Sequence, residues 1–400
     1  MHIAQLAAAL LSLLMGLLAC GSLLNLSNHP HWFVRAWDFP RVQIVVLGWI
    51  FTALYFAVKY AAARSATAPD ANGPDLALGT WPIVAIVVFL TAWHGFRIIP
   101  YTPLLPKQSA DTPASLNVSH WSDDQTIRMV MTNVEMENDD YALWITTITE
   151  EDPDIVLVVE IDDAWVQATK EFASRYPYRI IHPQDNWYGM MILSRLPIID
   201  HQIRHLVQKD VPSIDAKLQM DDGTMIRFVG VHPRPPEPIR DNDATARDAE
   251  LTLWGSELAD AQGPVIIGGD LNDVAWSQTT RLFLRTSELL DPRRGRGFFN
   301  SFHANHWFLR FPLDHIFHSP HFTVSRVERL GFVGSDHFPI LIDLRHTPSE
   351  SHRHDVLTNK ESDAEEIDTR IERAAEDESL DGEAVKELKR QSELEPKSAT

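Results

Sequence analysis

Three apolar stretches crowd the first hundred residues, at about Ile3 to Leu26, Val42 to Ala63 and Leu76 to Ile99, and they restrict what the chain can become more than anything after them. A bilayer's hydrocarbon core of roughly 30 Å is crossed by about 20 helical residues. The first stretch contains no Lys, Arg, Asp or Glu, and the second holds only Lys59, near its end, where the ammonium reaches the interface along its own stem. Trp81, Trp93 and Tyr101 suit interfacial belts, while His94 and Arg97 shorten the uncharged part of the third stretch. Residues 1–100 are therefore expected to form an anchor of about three transmembrane helices with the lipid bilayer as partner. The expected localisation is an integral membrane protein, in the plasma membrane or a bacterial inner membrane. A rival reading takes the first stretch as a signal peptide, or Leu17-Leu18-Ala19-Cys20 as a lipoprotein cleavage site, but no Lys or Arg precedes it. With the amino terminus outside, Arg35, Arg41, Arg97 and Lys107 lie on the cytoplasmic side, against Lys59 and Arg64 for the reverse, a weak lean only.

Beyond the anchor, residues 101–124 are rich in Pro, Ser, Thr and Asp without apolar periodicity and read as a linker. A globular region over 125–346 follows. It opens with a strand at Thr126–Asn133, a helix at Tyr141–Glu151 and a strand at Ile155–Glu160. Short strands come next at Tyr178–Ile181, Gly189–Leu193, Ile198–Leu206, Ser213–Gln219 and Thr224–Val231, with Asp222-Gly223 as a hairpin turn. A helix at Asp241–Ala261 and strands at Val265–Gly269, Leu313–Phe317 and Ile340–Leu344 complete it. This order predicts an α/β sandwich of two packed sheets covered by helices. Residues 347–400 lose their apolar content to acidic runs such as Glu376-Asp377-Glu378 and are expected to be an acidic tail, disordered or a loose charged helix, with nothing that can build a core.

Within the globular region, polar residues close several apolar strands, where an α/β sheet presents its chemistry to solvent. In order they are Met131-Thr132-Asn133, Val158-Val159-Glu160-Ile161-Asp162, Gly230-Val231-His232-Pro233, Gly268-Gly269-Asp270-Leu271-Asn272, Leu313-Asp314 and Gly334-Ser335-Asp336-His337-Phe338-Pro339. Asp162 shares a face with Glu160 if the strand continues, which would let it support that residue.

Taken together, these motifs resemble the endonuclease/exonuclease/phosphatase, or DNase I-like, superfamily over residues 116–346, and Met191-Ile192-Leu193-Ser194-Arg195-Leu196-Pro197-Ile198 adds to the likeness. The resemblance implies a four-layer α/β sandwich and a Mg²⁺-dependent phosphoester hydrolase, with Mn²⁺ as the alternative ion. It makes Glu160 the principal metal ligand, completed by Asn133 and Asp336. Asp270 is then the group that orients or deprotonates water, Asn272 a phosphate hydrogen-bonding group, and His232 a contact to a phosphate oxygen or the leaving group. Asp314 fixes the tautomer of His337.

Phosphodiester hydrolysis asks for such residues independently. It needs a cation for the phosphoryl oxygens, a group for the water and donors for the transition state, and hard oxygen ligands suit Mg²⁺. Seven other histidines, His182, His201, His205, His303, His306, His315 and His318, show no recurring ligand spacing and are read as ordinary surface or core residues. The expected function is a membrane-anchored enzyme that hydrolyses a phosphodiester, nuclease-like. The alternatives are a lipid or inositol phosphate phosphoesterase and, in another class, an inactive membrane-tethered scaffold. A formal net charge of −20 gives no support to a broad basic surface for nucleic acid.

Overall fold

The computed structural model describes residues 2–65, 76–116, 125–238 and 242–394. The chain divides into two compact units, one ending at Pro100 and one beginning at Tyr101.

In the first unit, α1 (His2–Ser22), the short α2 (Trp32–Ala36), α3 (Arg41–Ser65) and α4 (Leu76–Ile98) carry the apolar stretches. Three helical segments, His2–Leu26, Arg41–Arg64 and Thr80–Tyr101, are long and apolar enough to cross a membrane by length and composition. Their outer surfaces are bare, with Ile3, Leu6, Leu13, Leu17, Trp49, Leu54 and Phe96 all exposed. Polar groups collect where α1 ends, α3 begins and α4 ends. Ser22 lies 2.8 Å from His94, and Asn25 Nδ2 donates to Asp38, which also pairs with Arg41 at 2.5 Å. His94 is thus partnered inside the bundle.

The second unit is built on β1 (Thr126–Asn133), α5 (Tyr141–Glu151), β2 (Ile155–Val159), α6 (Asp163–Ala168), α7 (Lys170–Ala173), β3 (Tyr178–His182), β4 (Met190–Ser194), β5 (Ile198–Arg204), β6 (Ser213–Gln219), β7 (Met225–Val231), α8 (Thr245–Ala259), β8 (Val265–Asp270), α9 (Gln278–Ser287), β9 (Asp314–His318), β10 (Phe322–Arg329), β11 (Ile340–His346), α10 (Glu361–Glu376) and α11 (Glu383–Leu394). The strands make a six-stranded sheet in the order β10-β11-β1-β2-β4-β3 and a five-stranded sheet in the order β5-β6-β7-β8-β9. Alternation along each strand divides its apolar residues between two cores. Met129, Met131, Leu157, Ile192, Phe228, Ile266 and Ile342 meet between the sheets. On the outer face of the first sheet, Val130, Val156 and Val158 pack with Trp144 and Trp165 from α5 and α6; on that of the second, Val229, Ile267 and Phe317 pack with Trp254 and Phe283 from α8 and α9. This is the expected four-layer α/β sandwich, with most strands within one or two residues of their sequence limits.

Three expectations need correction. Tyr101 to Leu116 is not a linker. Tyr101 is buried with its hydroxyl donating to the Ala275 carbonyl at 2.6 Å, and Thr112 N donates to Val324 O at 3.0 Å. Its backbone groups find partners far along the chain, which local composition cannot show. The rest of the expected linker, 117–124, lies outside the described residues.

The acidic tail is likewise folded as far as Leu394. Ala374, Leu380 and Val385 are buried in the core over the second sheet, and Asp363 takes two hydrogen bonds from Arg285, at 2.6 and 2.7 Å. The first N–H groups of α11 are capped by carbonyls of a loop: Glu383 N donates to His205 O and Ala384 N to Leu206 O. The charges that made this tail look disordered lie on the outer faces of amphipathic helices, and one of them closes a buried ion pair. Its last residues, 395–400, lie outside the described residues.

The third correction concerns Asp162. The strand stops at Val159, and Asp162 accepts from Trp165 N at 2.8 Å as the N-cap of α6.

Candidate active site

Strand register gathers the motifs at one end of the sandwich. β1 and β2 run parallel with Asn133 beside Val159, so Glu160 follows directly next to Asn133. In the other sheet β7 and β8 run parallel with Val231 beside Gly269, and β8 meets β9 antiparallel with Asp270 opposite Asp314. His232, Asp270 and Asp314 therefore emerge side by side. The approach of β7 to β8 requires a glycine: Gly269 has φ 153°, and a Cβ there would lie 1.7 Å from the Val231 carbonyl oxygen. Glu160 and Asn272 themselves take left-handed backbone, φ 64° and 50°, which re-aims both side chains at the strand ends.

Asn133 Nδ2 donates to Glu160 Oε1 at 2.7 Å and to Asp270 Oδ2 at 3.1 Å. His232 Nε2 lies 3.7 Å from Glu160 Oε1 and 3.9 Å from Asp270 Oδ2. His337 Nδ1 bonds Asp314 Oδ2 at 2.6 Å, and its Nε2 points inward, 3.5 Å from Asp270 Oδ2. Asp270 Oδ2 is the common point of both histidines and the amide. Asp336 stands at the rim, with Oδ1 3.8 Å from His337 Nε2 and its own backbone N–H donating to Glu135 Oε2 at 2.8 Å. Asn272 donates N–H to Asp270 Oδ1 at 2.9 Å, while its amide donates to Pro233 O at 3.0 Å, tying the two loops together.

The electrostatics follow from crowding acids in a buried site. Burial chiefly, with Asp270 and Asp336 adding repulsion, raises Glu160 to about 7. Burial raises Asp270, and raises Asp336 to about 6. The two histidines diverge. Burial lowers His232 to about 4. At His337 burial acts downward too, but Asp314 and Asp270 outweigh it and raise the imidazole to about 10. One histidine is neutral and the other cationic at neutral pH.

The donor set fits a hard cation. Glu160, Asp270 and His232 each bring one ligand atom within 4.8 Å of the others, and the carboxylates are held at raised pKa values that a cation would relieve. Asp336 is not part of that convergence among the described residues. Nor is the Asn133 carbonyl: its oxygen accepts from Glu135 N at 2.9 Å, so the amide presents N–H groups to the two carboxylates.

Several neighbours escaped the sequence reading. Ser301 Oγ accepts from Asp314 N, and Ser335 Oγ donates to Asn133 O, each fixing the backbone behind a site residue. The rings of Tyr188 and Phe302 lie 5.4 Å from His232 and 4.9 Å from His337. Ser335 stands inside the Gly334-to-Pro339 motif with no role assigned to it there, and the others sit in no motif. His315, next to Asp314, is buried between Arg293 and the Asp273 carbonyl and has the core role expected of it.

Two mixed sheets under helices, with carboxylates and histidines meeting at their strand ends, define a DNase I-like α/β sandwich. The chain belongs to the Endonuclease/Exonuclease/phosphatase family, whose sequence model matches residues 132–337, just over half of its length. Members of this family are generally phosphoester hydrolases and typically depend on a divalent metal.

Among solved structures, the chain is similar to D. rerio TDP2 complexed with a single-strand DNA product (16% identity, TM-score 0.48, 55% of this chain and 99% of that one). It is also similar to a family member from Bacteroides thetaiotaomicron (20%, TM-score 0.46, 55% and 97%) and to the human Nocturnin catalytic domain (16%, TM-score 0.46, 56% and 95%). No curated protein matches the chain.

Proposed function

We propose that this protein is a membrane-anchored, metal-dependent phosphoesterase that hydrolyses a phosphodiester by in-line attack of water. The observation that carries the reading is the convergence of Glu160, His232 and His337 on Asp270, with Asp314 bonded to the far side of His337 at 2.6 Å. The three apolar helices support the anchor.

Glu160 would hold Mg²⁺, Asp336 would complete the site from the rim, and Asn133 would orient Glu160 through its N–H. When bound, the ion supplies positive charge for the phosphoryl and leaving oxygens. Asp270 takes a proton from water as the water oxygen bonds to phosphorus, the P–O bond to the leaving group breaks, and the leaving oxygen gains a proton from solvent. The His337 imidazolium donates from Nε2 to a non-bridging oxygen, where charge accumulates in the transition state. His232, neutral, offers a further contact at the same phosphate.

The test is hydrolysis of bis(p-nitrophenyl) phosphate by the detergent-solubilised full-length protein, with Mg²⁺ and with EDTA. Cleavage that Mg²⁺ supports and EDTA abolishes is expected. No cleavage under any divalent ion would leave the inactive-scaffold reading in its place.

A further inference from the structure

Between α9 and β9 the chain makes a narrow excursion beside the site. Phe302 and Phe311 exchange backbone hydrogen bonds, His303 N donates to Leu309 O at 3.1 Å, and Phe302 is bridged to His337. The base of this hairpin is therefore part of the catalytic wall, and Ala304 N donates to Asp336 O at 2.6 Å. Its tip is the opposite of what a water-facing turn should be. Trp307 is 80% exposed, Phe308 53% and Leu309 40%, and Phe332, before β11, is 44% exposed. Behind the tip the guanidinium groups of Arg310 and Arg329 lie 5.0 and 4.3 Å from the Phe338 ring centre, next to His337 in sequence. Each guanidinium also donates to a backbone carbonyl, Arg310 to Ala304 O and Arg329 to Asn300 O, both at 3.1 Å, which holds the two cations side by side.

We propose that the 303–309 hairpin is an interfacial anchor that sets Trp307, Phe308 and Leu309 into a lipid bilayer, and that the phosphodiester cleaved is that of a phospholipid in that bilayer. The substrate half rests on the phosphoesterase reading of the site. Three observations support a bilayer as the occupant. Three segments of the chain are apolar enough to cross a membrane, and the catalytic unit follows the last of them in sequence. An aromatic and leucine tip with arginines behind it matches an interface, with rings at the acyl boundary and cations at headgroup phosphates. Single-stranded nucleic acid would also stack on Trp307, but it needs a basic track for its backbone, and the chain's net charge is −20. Water adds across a P–O bond of the lipid: hydroxyl goes to phosphorus and a proton to the departing oxygen, with no other reactant.

The experiment uses full-length protein in vesicles of equal parts phosphatidylcholine and phosphatidylglycerol. A nitroxide on Phe308→Cys, in a Cys20→Ser background, should collide with oxygen more than with an aqueous nickel chelate. Trp307→Ser with Phe308→Ser should lower release of diacylglycerol or phosphatidate about tenfold or more, while bis(p-nitrophenyl) phosphate cleavage stays at the wild-type rate. A label that favours the nickel chelate overturns the anchor. Wild-type protein that cleaves the soluble ester but neither lipid overturns the substrate class, as does a serine variant that attacks lipid unimpaired. Cleavage of single-stranded DNA that falls in the serine variant would make the tip a base-stacking platform instead. Failure to cleave even the soluble ester removes the phosphoesterase reading and leaves the nitroxide result standing by itself.

Discussion

His337 Nδ1 and Asp314 Oδ2 lie 2.6 Å apart although the residues are 23 positions apart in sequence, and both are buried. The bond turns the imidazole so that Nε2 faces Asp270, and it supplies the first of the charges that hold the ring protonated. Residues bound this way act as a unit, and losses within a unit do not multiply. His337→Ala and Asp314→Ala are each expected to cost about 10² to 10⁴ in rate, with the double variant scarcely worse than His337→Ala. Steady-state rates on bis(p-nitrophenyl) phosphate check this. Multiplying losses would mean that Asp314 acts on substrate directly.

Glu160 is expected to be dispensable for folding and indispensable for activity. Glu160→Gln keeps the hydrogen-bond partner of Asn133 but removes a charge that burial and its neighbours disfavour. The thermal midpoint should therefore hold or rise. Mn²⁺ binding, followed by the loss of free-ion paramagnetic signal, should weaken about tenfold or more, and turnover should fall at least about 10²-fold. Unchanged Mn²⁺ binding would move the metal to other ligands.

A pH dependence is expected from Glu250, away from the site. It is buried on α8, accepts from Ser213 Oγ at 2.5 Å, and burial raises its pKa from 4.5 to about 7. In that interval the folded protein binds the proton and the unfolded chain does not, so this contribution to stability is complete below pH 4.5 and is lost as pH rises to about 7. A tenfold change in proton affinity is worth roughly 1.4 kcal/mol, so the loss amounts to a few kcal/mol at most. Urea unfolding of wild type and Glu250→Gln at pH 5 and pH 8 should show the variant gaining on the wild type at the higher pH. A constant difference would show that Glu250 does not titrate in this range.

The carboxyl-terminal helices should be worth measurable stability. Asp363→Ala leaves the Arg285 guanidinium without its paired carboxylate in a largely buried position, a change that costs about 3 kcal/mol when burial is complete and less here. Ending the chain at Asp355 would uncover Leu206, Val207 and Trp254, which pack in the same cluster as Leu380 and Val385. Both variants should lower the thermal midpoint by several degrees. A midpoint within a degree of wild type for both would show that the helices do not dock in solution.

If all three apolar helices span, the two ends of the anchor lie on opposite sides of the membrane. Fusion reporters after Ala68 and after Ser115 should then report opposite compartments, and the full-length protein should stay in the pellet after carbonate washing. Reporters on one side would show that α4 does not cross.

The sequence by itself determined most strands of the sandwich, the apolar helices before it and the resemblance to the family. The alternation from Thr126 to Asn133 and the uncharged run from Ile3 to Leu26 are local patterns, so each is readable in a window of its own length. Asn133, Glu160, His232, Asp270, Asp314 and His337 were readable as short polar motifs at the edges of apolar strands, and the roles expected of them came from the family resemblance that the motifs carry together. What depended on neighbours distant in sequence was not readable. Asn133 turns its amide nitrogen to Glu160 and Asp270, 27 and 137 residues away, so that its oxygen does not join the carboxylates. The tail folds because Asp363 meets Arg285, 78 residues earlier, and because the α11 N–H groups meet the carbonyls of His205 and Leu206. Its acidic composition describes the solvent face of those helices and says nothing of Ala374, Leu380 and Val385 beneath. Tyr101 was masked in the same way, reading as an interfacial aromatic when its hydroxyl is satisfied by the Ala275 carbonyl. In each case the deciding interaction pairs a polar group with a partner that only the packed sandwich brings within reach, and burial makes such a pairing obligatory.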